Sequence, residues 1–152
     1  MLWRNATVVD PDGLRQGMDI FARDGVITRV VPSGSVPFAG SAVFDCRGRL
    51  LIPAYVNAHH HFYSALLRGL PPLASPPRNQ RERLERLVWP YERRLTRDDV
   101  RAAVRMGLLE ATLAGTTTIF DHHVSAGCID GILDVIAEEV DAAGLRGVLC
   151  YE

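Results

Sequence analysis

Short apolar runs broken by turn residues fill positions 1–49, whereas positions 50–152 alternate such runs with stretches of helical spacing. In the first part, Ala6-Thr7-Val8-Val9 predicts a strand, stopped by the strong turn signal Asp10-Pro11-Asp12-Gly13. Residues 18–22 and 26–31 predict two strands joined at Arg23-Asp24-Gly25, because Asp-Gly supplies the positive φ angles of a tight hairpin. Residues 32–39 predict a loop. Val43-Phe44-Asp45 predicts another short strand, turned by Arg47-Gly48. These strands are too few for an independently closed sandwich, so the segment is expected to need a partner surface.

The second part opens with an apolar run from Leu50 to Ala58 that predicts a buried strand ending in His59-His60-His61. Residues 62–69 predict a short helical turn, after which Pro71-Pro72 and Pro76-Pro77 forbid regular structure. Residues 80–94 predict a surface helix interrupted near Pro90. Leu84 and Leu87 form its apolar side, and its arginines and glutamates a solvated, salt-bridged face. Thr96 is a predicted N-cap, with Asp98 and Asp99 in the first turn. Val100, Ala103, Val104, Gly107, Leu108 and Ala111 then keep helical spacing up to Gly115. Thr116 to Phe120 is a β-branched and aromatic strand leading into Asp121-His122-His123. Residues 128–143 predict a helix stopped by Gly144, and residues 145–151 a third strand. The alternation implies an α/β class with parallel strands and right-handed crossovers.

Composition narrows the function classes. Apolar content of 47%, charged content of 23% and a formal charge of −1 give no electrostatic case for nucleic acid or an anionic membrane. All 17 basic residues are arginine, which rules out a lysine Schiff base or a carbamylated lysine bridging two metals within this chain. Cys46, Cys128 and Cys150 form neither a CxxC motif nor a disulfide framework, and read as packing residues in a reducing cytosol. The N-terminus lacks a signal-peptide pattern, and no apolar run approaches the ~18 residues of a membrane span. A cytoplasmic protein without a membrane partner is expected. No GxGxxG or GxxxxGK[ST] follows a strand, so a dinucleotide fold and a phosphate loop are unsupported.

In parallel α/β architectures functional groups gather at the C-terminal ends of strands. All five histidines sit at two such ends. Alternation sends His59 and His61 to one side, where two imidazoles can share a metal ion, and His60 to the other as a structural spacer. The alternative is a pair of strand caps bonding loop carbonyls; the preceding apolar run and the second cluster one βα unit later favour the metal. Of His122 and His123, one is expected to point toward a site and one away, in a substrate or supporting role. Asp121 reads as a partner for local backbone or arginine.

Residues 52–61, Ile-Pro-Ala-Tyr-Val-Asn-Ala-His-His-His, resemble the first-strand signature of the amidohydrolase superfamily, in which the outer histidines of HxH bind a catalytic divalent metal. Residues 89–96, Trp-Pro-Tyr-Glu-Arg-Arg-Leu-Thr, resemble the stretch before the first barrel helix in its deaminase and chlorohydrolase-like branch. Residues 115–123, Gly-Thr-Thr-Thr-Ile-Phe-Asp-His-His, resemble that branch's second strand, the double histidine being closest to its selenium-metabolism-associated aminohydrolases. Residues 1–49 are similar to the N-terminal part of the family's composite β-sandwich.

The resemblance therefore implies a β-sandwich segment over 1–49, followed over 50–152 by about the first three strands of a (β/α)₈ barrel. His59 and His61 become ligands of a divalent metal, zinc ahead of iron. Glu92, His122 and His123 become substrate-binding residues. A whole barrel takes about 250 residues. The family's further ligands, histidines on the fifth and sixth strands and an aspartate base on the eighth, have no counterparts here, nor does any catalytic residue. Pro53-Ala54 also stands where the family usually has Pro-Gly. The expected activity is deamination of an amino-substituted heterocycle or related small molecule by an enzyme of which this is the N-terminal portion. Alone, the chain is expected to be inactive and to need the missing barrel half. The alternative is a non-catalytic chain that folds by pairing strand edges with a partner or with itself.

Overall fold

The computed structural model describes residues 1–152 apart from Ser41 and Pro72, so the second proline of Pro71-Pro72 lies outside the described residues. The chain divides into two compact units, Met1–Pro53 and Ala54–Glu152.

The first unit is a sheet of β1 (Leu2–Asp10), β2 (Gly13–Arg23), β3 (Val26–Pro32), β4 (Val43–Asp45) and β5 (Leu50–Leu51). Its order is β3-β2-β1-β4, with β5 also pairing β1; the two hairpin pairings are antiparallel and the β4 and β5 pairings parallel. Asp24 and Gly25 make the β2–β3 turn with φ of 50° and 77°, as the Asp-Gly signal requires. Ala6, Val8, Ile20 and Cys46 form a small core. Asp19 is buried beside it. Its carboxylate accepts from the Asn5 and Gly34 backbone N–H groups and the Ser33 hydroxyl. Asn5, at φ 60°, sits where the β1–β2 register shifts, so Asp19 holds a bulge in place.

The Leu50–Ala58 run is not one buried strand. Leu50 and Leu51 pair with β1, and a new strand, β6 (Tyr55–His60), begins after Pro53, which has no N–H to give a ladder. Tyr55 and Val56 are more than half exposed. In the second unit β6 lies beside β7 (Thr116–His123), and β7 beside β8 (Arg146–Tyr151), all parallel. A 3₁₀ helix, Phe62–Leu67, follows β6 directly. Helix α3 (Arg97–Leu113) leads into β7 and α4 (Ile132–Ala142) into β8.

Val100, Val104 and Leu108 of α3 join Ile132, Val135, Ile136 and Val140 of α4, with Phe62 and Ile119, in one core. Along β7 this makes Ile119, Asp121 and His123 buried, while Thr118, Phe120 and His122 on the other face stay half-buried. Thr96 caps α3 in a reciprocal capping box with Asp99. Gly107 explains itself on the same helix: a Cβ there would lie 2.6 Å from Phe62 Cδ1 and 3.3 Å from His60 Cε1.

Two further sequence expectations change. Helix α4 begins at Ile132 rather than at 128, because Gly131 takes φ 64°, a left-handed conformation outside the helix. The segment around Pro90 is not broken. Helix α1 (Gln80–Arg83) runs into a π turn (Leu84–Val88) and then α2 (Trp89–Glu92). Trp89 N–H donates to Leu84 O, five residues back, and this widened turn places Pro90 in the first turn of α2, where its missing N–H is tolerated. Among the described residues no helix is long and apolar enough to cross a membrane.

Candidate metal centre

The two outer histidines of the triple converge. Strand β6 breaks its alternation just before them: Asn57 pairs with Ile119 and His60 with Asp121, three steps on β6 against two on β7. The Asn57 side chain accepts from His59 N–H at 3.3 Å within that irregular step. His59 Nε2 and His61 Nε2 lie 3.1 Å apart, with the ring planes at 90°. Two nitrogens sharing one tetrahedral zinc at ~2.0–2.1 Å would be about 3.3 Å apart, close to this spacing.

Protonation follows from the partners. His61 Nδ1 is 2.7 Å from the carbonyl oxygen of His122. A carbonyl only accepts, so His61 carries its proton on Nδ1 and turns the Nε2 lone pair toward His59. Anchoring the far nitrogen to a carbonyl is how metal-binding histidines are commonly oriented. The donor set therefore fits a divalent cation at two of its positions. Among the described residues no group of three or more His, Cys, Asp or Glu side chains is arranged to hold a metal.

His60 takes the opposite side. Its Nδ1 lies 3.4 Å from Asp121 Oδ1, which also accepts Phe62 N–H at 2.6 Å. His122 stands on the face of the pair, its ring centroid 4.6 Å from that of His59 and 6.0 Å from that of His61. His123 is on the helix-covered face, fully buried, with Nε2 2.9 Å from Ser125 Oγ and its ring 5.5 Å from that of Tyr63. The two adjacent histidines thus do not share a face. Burial pushes the His123 pKa down, against the opposing charge of Asp121, so its imidazole stays neutral.

Glu92 is brought near the pair from α2. It is 7% exposed, and burial pushes its carboxyl pKa up; Tyr63 donating to it works the other way, Glu152 adds to the rise, and His61 opposes it. Burial and the Glu92 charge raise Tyr63 well above an ordinary phenol, so Tyr63 remains a donor. The Tyr91 hydroxyl in turn bonds the Tyr63 carbonyl. A cavity of about 370 Å³ adjoins the histidines, lined also by Ser64, Arg68 and Glu110, the last two ion-paired at 2.6 Å.

Sequence reasoning did not single out Tyr63, Ser125 or Asn57. Tyr63 had one usable signal, an aromatic residue two positions after a candidate ligand. The carbonyl of His122 had none, because every residue offers one.

Comparison with known proteins places these features in a family. The amidohydrolase family profile matches residues 50–152. The chain is 32% identical over 140 residues to an 8-oxoguanine deaminase of Pseudomonas aeruginosa, covering 91% of this chain and 30% of that protein. It is 34% identical over 153 residues to a 5-methylthioadenosine/S-adenosylhomocysteine deaminase of Haloarcula marismortui, covering 99% and 32%. The crystal structure of the atrazine chlorohydrolase TrzN from Arthrobacter aurescens TC1, complexed with zinc, superposes with a TM-score of 0.80 at 25% identity, covering 99% of this chain and 35% of that one. The chain thus spans about a third of the length of these relatives. With the profile matched from β5 through the histidine pair to the last strand, this chain belongs to the amidohydrolase family.

Proposed function

We propose that this chain contributes the entrance of a metal-dependent hydrolase acting on carbon–nitrogen bonds outside peptides, with His59 and His61 as two of the metal's ligands. The observation that carries the reading is the 3.1 Å approach of the two Nε2 atoms, with the His61 proton held away on Nδ1. A divalent metal held there, zinc or iron, supplies Lewis acidity that makes water a nucleophile near neutral pH. The carboxyl of Glu92, buried beside Tyr63 with its pKa pushed up by that burial, is suited to pairing with a ring nitrogen or amino group of a small heterocyclic substrate. His122 faces the same side as the pair and contacts substrate; His123 backs Tyr63 from behind. The relatives named as deaminases support an aminohydrolase over other hydrolases.

In this reading β6, β7 and β8 are the first three strands of a (β/α)₈ barrel and the Met1–Pro53 sheet is the N-terminal part of a composite sandwich. Two imidazoles fall short of the three protein ligands usual at catalytic zinc, so the 152-residue chain by itself is expected to release little or no ammonia from aminopurines or aminopyrimidines. Metal content after purification tests the assignment. Zinc bound by the native chain, lost in His59→Ala and His61→Ala but kept in His60→Ala, is the expected result; retention in all three variants refutes it.

A second reading is favoured by Val56 and Val148, 58% and 50% exposed on the face of the sheet away from the helices: a chain that folds by pairing with a partner or with itself. A monomer by light scattering with dispersed amide resonances would remove it.

A further inference from the structure

We infer that Asp121 is a positioning residue for the histidine pair, fixing His61 by gripping the residues on either side of it. The inference rests on the metal-binding reading of His59 and His61 for one of its two readouts. Asp121 is fully buried on β7, in register opposite His60. One carboxylate oxygen, Oδ1, accepts Phe62 N–H at 2.6 Å and lies 3.4 Å from His60 Nδ1. His61 stands between those two residues, at the corner where strand becomes 3₁₀ helix, with φ −137° and ψ 87°. The His61 carbonyl accepts from Ser64 N–H at 3.0 Å and from the Ser64 hydroxyl at 2.7 Å, but these local bonds tie the corner only to its own helix. The bonds of Phe62 N–H to Asp121 and of His61 Nδ1 to the His122 carbonyl tie it to β7.

The next residue along β7 completes the grip. The carbonyl of His122 accepts from His61 Nδ1–H at 2.7 Å, which sets the tautomer and the ring direction together. That bond requires the corner to sit at one height against β7, and the Asp121–Phe62 bond sets this height. The geometry is not what simple satisfaction of Phe62 N–H would demand. Among the described residues, Asp121 Oδ2 is buried without a hydrogen-bond partner, an unfavourable placement for a carboxylate. A single oxygen that reaches both His60 and Phe62 explains the residue; packing alone does not.

The test compares Asp121→Leu, which keeps the volume and removes the acceptor, and Asp121→Asn, which keeps an oxygen for Phe62 N–H. Ile136→Ala, fully buried on α4, is the control for general destabilisation. Nitrogen-15 NMR of metal-free protein reads the His61 tautomer, and calorimetric titration with Zn²⁺ reads affinity. The expected result is a single Nδ1–H tautomer in the native chain, in Asp121→Asn and in Ile136→Ala, and a mixture in Asp121→Leu. Affinity should fall about tenfold or more in Asp121→Leu and stay within about threefold in the other two.

An unchanged tautomer in Asp121→Leu overturns the inference, as does an equal loss in Ile136→Ala. Should Asp121→Leu fail to fold, Asp121→Ser, too short to reach Phe62 N–H, is read in the same way. Absence of Zn²⁺ binding in the native chain would remove the metal reading alone, and the tautomer comparison would still decide the role of Asp121.

Discussion

Gly107→Ala sets two physical effects of opposite sign against each other within helix α3. Alanine is favoured over glycine in a helix interior by about 1 kcal/mol. Against that, the added Cβ would lie 2.6 Å from Phe62 Cδ1, where carbon atoms ordinarily rest at about 3.5–4.0 Å, so the ring must retreat by about 1 Å. It has nowhere to go. Phe62 is fully buried, in the same core as Val104, Leu108 and Ile119, and its backbone N–H is tied to Asp121. Overpacking a tight core costs about 1–3 kcal/mol, and a clash this close with a rigid ring belongs in the upper part of that range. The expected net loss is about 1–2 kcal/mol. Thermal unfolding followed by circular dichroism should show Tm falling by about 4–8 °C for each kcal/mol in a unit of this size. Phe62→Leu in the same chain as Gly107→Ala should recover part of the loss, since it removes the ring carbons in the way. A Tm for Gly107→Ala equal to or above the native value would refute the reasoning.

Two further outcomes are expected. Thr96→Ala removes the acceptor for Asp99 N–H and one side of the capping box, and should cost about 1 kcal/mol by urea unfolding, with no change in the histidine resonances. For Asp19, burial alone would raise the pKa, but hydrogen bonds from Gly34, Ser33 and Asn5, with the charge of Arg4, outweigh it and hold the carboxyl below its ordinary value. A depressed folded pKa means stabilisation that is complete above the unfolded value of about 3.9 and lost as pH falls through the folded one. Unfolding free energy measured from about pH 6 down to pH 2 should therefore drop on the acid side, and Asp19→Asn should flatten that drop.

The parts of the fold legible in the sequence are those whose cause is local. The spacing of Val100, Ala103, Val104, Gly107 and Leu108, with Thr96 and Asp99 before it, suffices for α3 and its cap. Asp24-Gly25 suffices for the hairpin, because only a few residue types tolerate its φ angles. Pro90 misled for the complementary reason: the missing N–H is local, but the π turn that absorbs it comes from the way the whole 80–92 segment is wound. Leu50-Leu51 likewise gave no sign that it would pair with β1 instead of continuing into β6, since strand partners are chosen by register across the fold. The candidate centre divides along the same line. A local period of two across the three histidines is enough to put His59 and His61 on one side of His60. Their usefulness as a pair depends on which nitrogen carries the proton, and that is decided by the main-chain oxygen of His122, which sequence pattern cannot distinguish from any other. The residue that brings this oxygen to His61 is the neighbouring Asp121, a side chain on another strand. A motif of ligands is thus readable one strand at a time, whereas its protonation state is a property of two strands in register. Substitutions on β7 that leave every histidine in place should therefore still alter the pair on β6.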